Sequence, residues 1–202
     1  MVLIYIADLL NNKILDSKEL KRLVKVPYLG SIGINKEPDV VVVREGKTTP
    51  IVEMFRIIRT NIQFMLAGNE RPVILITSSI SGEGKSFTSI NMAMSFALMK
   101  KKVVLVGLDI RNPMLGEYLH LSKERGITMY ISDESYTVND IIIPSNLHPY
   151  FDVIPAGPVP PNPAELIMNK RLDDLFQQLR EKYDYIIVDS APIGLVSDTY
   201  LL

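Results

Sequence analysis

The sequence predicts an α/β fold: a doubly wound, mostly parallel sheet with helices on both faces. Three runs, at residues 73–76, 103–106 and 185–188, are aliphatic at almost every position and have the length of strands. Helical patterns separate them, and strands without a polar face that alternate with helices are typical of a parallel sheet buried on both sides. A fourth strand is predicted at residues 151–154, before a proline-rich loop at residues 155–163.

Helices are predicted between these strands and before them. Residues 16–24 begin with two candidate N-cap residues and end with basic ones. Residues 50–66 and 169–181 each present one apolar stripe at the helical period, and residues 85–99 follow the first strand as a further helix. A last helix begins at Ser197, and because a doubly wound sheet normally continues, we expect the domain to be truncated at its C-terminus.

The composition describes an ordinary globular protein. Of the 202 residues, 47% are hydrophobic and 22% are charged, which is enough apolar material for a sizeable core. The formal net charge is -1, so the chain has no basic field that would drive nucleic-acid binding. It contains no cysteine, which excludes disulfides, thiolate zinc sites and thiol nucleophiles together.

Residues 1–10, MVLIYIADLL, form an apolar run that is far shorter than the ~20 residues of a membrane-spanning helix. The run also lacks the basic start and the cleavage site of a secretory signal. It fits either the first turns of a buried amphipathic helix or the cytoplasmic end of a membrane helix. We therefore divide the chain into an N-terminal helical segment, residues 1–26, and one α/β domain, residues 27–202. In this domain a β-branched run at residues 40–43 precedes the first long helix.

The strongest functional motif is SISGEGKS at residues 79–86, between the first predicted strand and a helix. Glycines let the backbone wrap around phosphate oxygens, so that several N–H groups converge on them. Lys85 then reaches the β- and γ-phosphates, and the Ser86 hydroxyl ligates Mg²⁺. The strict P-loop pattern has glycine where Ser79 stands, so this is a variant, and the competing interpretation is a plain glycine-rich turn. We predict nucleotide binding by the loop residues Ser81, Gly82, Glu83, Gly84, Lys85, Ser86 and Phe87.

A second motif, VVLVGLDIR at residues 103–111, places Asp109 just after a predicted strand, where open α/β sheets bind their ligands. A carboxylate there holds metal-bound water or accepts the proton of a hydroxyl that attacks the γ-phosphate. Arg111 pairs with phosphate or with an acidic partner. The competing interpretation is that Asp109 only caps the helix that follows.

The third motif is YIIVDSAP at residues 185–192, in which an aliphatic strand ends in Asp189. Such an aspartate completes the Mg²⁺ shell of P-loop enzymes. An aliphatic run followed by aspartate is common, so this motif is weak evidence by itself. It becomes strong evidence because it follows the other two motifs in order. The predicted metal ligands are Ser86, Asp109 and Asp189.

A fourth feature is the spacing of Glu53, Arg56 and Arg59 at every third residue of a predicted helix. This spacing keeps the three side chains on one broad helix face. The face is either a solvated surface with an intrahelical ion pair or a charged docking surface for a neighbouring subunit.

Taken in order, these segments resemble the cytoplasmic domain of the bacterial protein-tyrosine kinases (BY-kinases), which belong to the polysaccharide co-polymerases of capsule and exopolysaccharide export. The resemblance extends from residue 28 to residue 198. It rests on EMFRIIRTNIQF (53–64), TSSISGEGKS (77–86, with serine at 81 where proline is usual), PAGPVPPNPAEL (155–166) and YDYIIVDSAPIGLVSD (183–198).

The resemblance implies an ATP-dependent protein-tyrosine autokinase that regulates polysaccharide polymerisation and export, with ATP and Mg²⁺ as cofactors. The resemblance assigns functional roles to the residues at the matching motif positions of this sequence. They are Gly82, Gly84 and Lys85 for the phosphates, Ser86 and Asp189 for Mg²⁺, and Asp109, the second aspartate of the family's Walker A′ motif. With Arg111 they give the catalytic set Lys85, Asp109, Asp189 and Arg111.

The resemblance also implies a ring of subunits joined through Glu53, Arg56 and Arg59, in which tyrosines are phosphorylated between neighbours. A membrane-spanning part of the same polypeptide would hold the domain at the cytoplasmic face of the bacterial inner membrane, although this fragment by itself would be soluble. That favours the interpretation of residues 1–10 as the cytoplasmic end of a membrane helix. The tyrosine-rich C-terminal tail that such kinases modify is missing here, so a neighbouring subunit would supply it. No nucleic-acid partner is expected.

The main departure from the family is Gly107, because the family's Walker A′ motif usually has there the aspartate that activates the tyrosine. Glycine accepts no proton, so either Asp109 takes over or phosphotransfer is weakened; general-base help is typically worth ~10²–10⁴ in rate. The alternative function is a catalytically weakened, nucleotide-binding scaffold that controls polysaccharide chain length through ring assembly. A partition-type ATPase is a third alternative, although such ATPases have a signature lysine where Ile80 stands.

Overall fold

The structure, a computed structural model, describes residues 17–194 and contains a five-stranded sheet. Its strands are β1 (Val73–Ile76), β2 (Val103–Leu108), β3 (Ile143–Pro144), β4 (Phe151–Ile154) and β5 (Tyr185–Ser190). They lie in the order β1-β5-β2-β4-β3, and every pair is parallel except β3 with β4. The four strands predicted from aliphatic runs are confirmed, and the two-residue antiparallel β3 is an addition.

Eight helices lie in the described part of the chain. The three helices predicted around the strands are confirmed to within two residues at each end, and the first predicted helix is present from residue 17 onward. None of these helices is long and apolar enough to cross a bilayer. Asp16, one candidate N-cap, and the helix predicted from Ser197 lie outside the described residues. The helices are α1 (Ser17–Leu23), α2 (Pro50–Met65), α3 (Lys85–Ala97), α4 (Leu115–Tyr118), α5 (Ile127–Ser132), α6 (Val138–Ile141), α7 (Pro163–Ile167) and α8 (Lys170–Lys182).

Hydrophobic cores lie on both faces of the sheet, which confirms the doubly wound prediction. Successive side chains of β2 point to opposite faces, as in any strand. Val103 and Leu105 belong to the core beneath α2 and α3, whereas Val104 and Val106 belong to the core beneath α5, α6 and α8. Because both faces are covered, every residue of β2 is buried, and this is why the strand has no polar position in the sequence.

The β-branched run at residues 40–43 has no regular secondary structure and pairs with no strand among the described residues. Its backbone is bound instead by Asn91, a buried residue of α3. The Asn91 side-chain oxygen accepts hydrogen bonds from the N–H groups of Val42 (2.8 Å) and Val43 (3.0 Å), and its amide nitrogen donates to the Val40 carbonyl (2.8 Å). One amide side chain thus attaches the segment before α2 to the helix that follows β1.

Strands β2 and β5 are each two residues longer than the aliphatic runs that predicted them. Gly107 pairs with Asp189, and Leu108 with Ser190, at the carboxyl end of the sheet. Asp189 is therefore part of its strand, while Asp109 follows the end of β2, as predicted. The register brings these two acidic residues together, although 80 positions separate them in the chain.

Candidate nucleotide-binding site

The predicted phosphate-binding loop connects β1 to α3 at the carboxyl end of the sheet. Gly82 and Gly84 both have φ +87°, a left-handed backbone conformation that residues with a side chain rarely adopt. Gly84 is the N-cap of α3, so the helix begins directly at Lys85. The loop therefore has the strand–loop–helix geometry in which backbone N–H groups and a helix N-terminus converge on an anion.

Lys85 lies at the centre of the site. Its Nζ is 2.7 Å from Asp109 Oδ2 and 3.8 Å from Asp189 Oδ1, and all three side chains are nearly buried. The predicted catalytic residues Lys85, Asp109 and Asp189 are thus brought together by three different elements. A lysine shared by two carboxylates leaves the cluster with one net negative charge, which suits a site that recruits a cation.

Asp189 is 1% exposed, and this burial raises the pKa of its carboxyl group above the ordinary value. The positive charge of Lys85 and the hydroxyl groups of Ser86 and Ser89 act in the opposite direction. Ser89 Oγ donates to Asp189 Oδ1 at 3.3 Å. The sequence analysis missed Ser89, although its position four residues after Lys85 places both on one face of α3.

Asp109 binds both Lys85 and the loop after β2, and it does not cap a helix, because α4 begins only at Leu115. Its Oδ2 binds Lys85, whereas its Oδ1 accepts the backbone N–H of Asn112 at 3.1 Å and so caps the turn after β2. Its own N–H donates to the Asp189 carbonyl at 3.1 Å. The carboxylate is thereby fixed in orientation.

The other predicted residues lie around this cluster. Ser86 is buried, with its hydroxyl oxygen 3.5 Å from Lys85 Nζ, whereas Ser81 and Arg111 are exposed, in the loops that follow β1 and β2. The ring of Phe87 packs against Phe55 with centroids 5.8 Å apart, so its side chain belongs to the contact between α2 and α3.

The oxygen donors fit a magnesium ion. Mg²⁺ prefers a few carboxylate and hydroxyl ligands and keeps its other positions for water and phosphate, and the Ser86 hydroxyl and the carboxylates of Asp109 and Asp189 are donors of this kind. Within residues 17–194 no cluster of three or more histidine, cysteine or acidic side chains has the geometry of an all-protein metal site. The donor set therefore suits a cation bound together with a nucleotide.

A side chain at position 107 would be tightly packed. A Cβ atom placed on Gly107 would lie 3.1 Å from Leu115 Cδ1 and 3.2 Å from the backbone nitrogen of Ala156, closer than side chains usually approach. The aspartate that is usual in the family would therefore require these neighbours to shift by a few tenths of an ångström.

The three charged residues of α2 do not act as one group. Glu53 and Arg56 form an exposed ion pair with an N–O distance of 2.6 Å. Arg59 points toward α3 instead, and its guanidinium donates to the carbonyl oxygen (2.8 Å) and the hydroxyl (3.3 Å) of Ser95. Its pKa is lowered by burial and by the nearby charge of Arg56.

Comparison with known proteins gives a consistent result. The family model of an AAA domain (AAA_31) matches residues 71–202. The tyrosine-protein kinase CpsD of Streptococcus agalactiae is 39% identical over 160 residues, which are 79% of this chain and 67% of that protein, so the chain spans about two thirds of this relative. The structure of the chimerical protein CapA2B2 has a TM-score of 0.84 at 32% identity, over 92% of this chain and 80% of that one.

The kinase domain of the Escherichia coli tyrosine kinase ETK superposes with a TM-score of 0.85 at 26% identity and covers 92% of this chain and 76% of that domain. The predicted P-loop type of α/β fold is thereby confirmed. With the motifs in the expected order and a relative of this identity, the chain belongs to the bacterial protein-tyrosine kinases.

Proposed function

We propose that this domain transfers the γ-phosphoryl group of ATP to tyrosine hydroxyls, as the autokinase of a polysaccharide polymerisation and export system. The observation that carries the proposal is the convergence of Lys85, Asp109 and Asp189 directly behind the phosphate-binding loop. A lysine and two acids at a P-loop are the groups that phosphoryl transfer needs to position the phosphates and their cation.

Binding of ATP follows from the loop and Lys85. The N–H groups of the loop and of the first turn of α3 would hold the phosphates, with the Lys85 ammonium on the β- and γ-phosphates. A lysine that turns to the phosphates gives up part of its contact with Asp109. The Ser86 hydroxyl and Asp189 would hold Mg²⁺, which neutralises phosphate charge when it is bound.

Asp109 is the proposed base, because Gly107 accepts no proton. The tyrosine O–H proton would pass to the Asp109 carboxylate while the phenolic oxygen attacks the γ-phosphorus. The bond from that phosphorus to the bridging oxygen breaks, and ADP leaves. The Asn112 N–H that binds the other oxygen of Asp109 keeps the carboxylate in place.

The acceptor tyrosines would belong to another subunit. Tyr183 is buried and donates its hydroxyl to Asp152 (2.8 Å), and Tyr185 stacks on Phe96, so neither is available as an acceptor. A ring of subunits fits this requirement, and so does a tyrosine-rich tail supplied by the neighbour.

The proposed ring contact lies on α2, which presents the Glu53–Arg56 pair together with the exposed apolar side chains of Ile57 and Phe64. Because Arg59 binds α3, its contribution to assembly would be indirect. A membrane-spanning part of the same polypeptide would hold the ring at the cytoplasmic face of the bacterial inner membrane.

Two measurements test the proposal. Calorimetry with ADP and ATP at millimolar Mg²⁺ measures binding, and γ-labelled ATP with a tyrosine peptide measures transfer. We expect Lys85→Met to abolish both. Lys101→Met is the matched control, because Lys101 is exposed at the opposite end of the sheet. Phosphotyrosine absent from the unmodified, ATP-binding full-length protein would refute the kinase proposal.

A second function is favoured by Gly107 alone: a nucleotide-responsive scaffold without strong catalysis. In such a scaffold ATP would control ring assembly and thereby polysaccharide chain length. Robust phosphotransfer by the unmodified protein would exclude it.

A further inference from the structure

The Glu83 side chain lies within the phosphate-binding loop but binds the loop's own first residues. Its Oε2 accepts hydrogen bonds from the backbone N–H of Ser79 at 2.7 Å and of Ile80 at 3.3 Å. The carboxylate of residue 83 therefore reaches back across the loop to residues 79 and 80, the first two of the motif.

The start of the loop is also bound by the segment that follows β5. The Ser78 carbonyl accepts the N–H of Ile193 (2.9 Å), and the Ser79 carbonyl accepts the N–H of Gly194 (3.0 Å). A Cβ atom at 194 would lie 2.3 Å from the Ser79 oxygen, so only glycine allows this approach. The entry of the loop is thus held between Glu83 and the continuation of β5.

Hydrophobic packing contributes little to the shape of this loop. Ile80 is 58% exposed, and Ser81 and Gly82 are exposed as well. Hydrogen bonds remain as the main restraint on the backbone, and those that an ionised carboxylate accepts are the stronger kind. A loop whose N–H groups must converge on phosphates gains affinity when it is already ordered before binding.

We propose that Glu83 is a positioning residue that orders the phosphate-binding loop for nucleotide binding. The inference rests on the proposed function, since it specifies how that loop holds ATP. The Glu83 carboxylate has two opposite effects on a triphosphate. Its hydrogen bonds order the loop, whereas its negative charge repels the ligand.

Two substitutions separate these effects. Glu83→Gln keeps an acceptor oxygen of the same reach and removes the charge, whereas Glu83→Ala removes both. We expect Glu83→Ala to weaken ADP and ATP binding by about tenfold or more, from the loss of two charge-assisted hydrogen bonds. Glu83→Gln should restore affinity to within about threefold of the unmodified protein.

The experiment is calorimetry of the full chain with Mg²⁺ and ADP or ATP, with Glu70→Ala as the control because Glu70 is exposed before β1. Amide hydrogen exchange of a peptide that covers residues 78–84 is measured in parallel without nucleotide. We expect faster exchange in Glu83→Ala and near-normal exchange in Glu83→Gln.

The outcomes are distinct for the two proposals. Unchanged exchange and affinity in Glu83→Ala would overturn the positioning role, as would a Glu83→Gln variant that is as impaired as Glu83→Ala. If the unmodified protein binds no nucleotide, the proposed function fails. The exchange measurement still decides whether Glu83 orders the loop.

Discussion

Substitution of Gly107 by aspartate decides which carboxylate serves phosphotransfer. If Asp109 is the base, a second carboxylate at 107 adds little, and we expect the rate of phosphotyrosine formation to rise less than about tenfold. If the natural chain has lost its base, the same substitution should increase the rate by ~10²–10⁴. The two functions proposed above therefore differ by at least an order of magnitude in one measurement.

The stability cost of this substitution follows from the packing around Gly107. The first added atom meets Leu115 Cδ1 at 3.1 Å and the Ala156 backbone nitrogen at 3.2 Å. The leucine methyl can move, but the backbone after β4 is held by hydrogen bonds from the N–H groups of Ile127 and Thr128 to the carbonyls of Pro155 and Ala156. Overpacking of this kind costs about 1–3 kcal/mol, and each kcal/mol lowers Tm by roughly 2–4 °C in a domain of this size.

Gly107→Ala is the matched control, because it carries the steric cost without the carboxylate. The assay measures transfer of labelled phosphate from ATP to a tyrosine peptide. It is run below the transition temperature of each variant, and a separate thermal melt gives that temperature. A rate in Gly107→Asp that exceeds that of both Gly107→Ala and the unmodified protein by a hundredfold would refute the assignment of Asp109. A Tm in Gly107→Ala equal to that of the unmodified protein would refute the packing argument.

Three further substitutions test other parts of the structure. Burial raises the pKa of Asp189 above its ordinary 3.8, so its contribution to stability is largest below that value and falls as the pH rises through the raised pKa. Asp189→Asn should remove this fall and raise Tm at neutral pH while it abolishes phosphotransfer; a lower Tm at pH 7 would contradict the sign. Arg59→Ala should lower the free energy of unfolding in urea by about 1.5–3 kcal/mol, against about 0.2–1 kcal/mol for the exposed Arg56→Ala; equal losses would show that the α2–α3 contact is unimportant. Asn91→Leu removes four hydrogen bonds from buried or half-buried groups and should cost roughly 2–5 kcal/mol in the same measurement; a loss below about 1 kcal/mol would contradict this.

Much of the fold was predictable because its signals are local. A strand covered on both faces has no polar position, and an amphipathic helix repeats its apolar residues at the helical period, so the main elements could be located without tertiary information. Antiparallel β3 could not be located, because two residues carry no periodicity. The run at residues 40–43 has strand composition, but a distant side chain, Asn91, binds its backbone in place of a neighbouring strand.

In the candidate site, too, some features could be predicted from the sequence and others could not. The sequence by itself was enough to predict the loop glycines, Lys85 and the two aspartates as site residues, because each motif combines a strand end with a residue type that phosphate or cation chemistry requires. Only the tertiary structure decided that Lys85 contacts both acids, that Arg59 turns inward, that the space at Gly107 is tight and that Glu83 binds back onto its own loop. The first three depend on strand register and on the directions of side chains from elements far apart in the chain, whereas the Glu83 contact depends on the folded conformation of the loop itself; no sequence pattern encodes either of them.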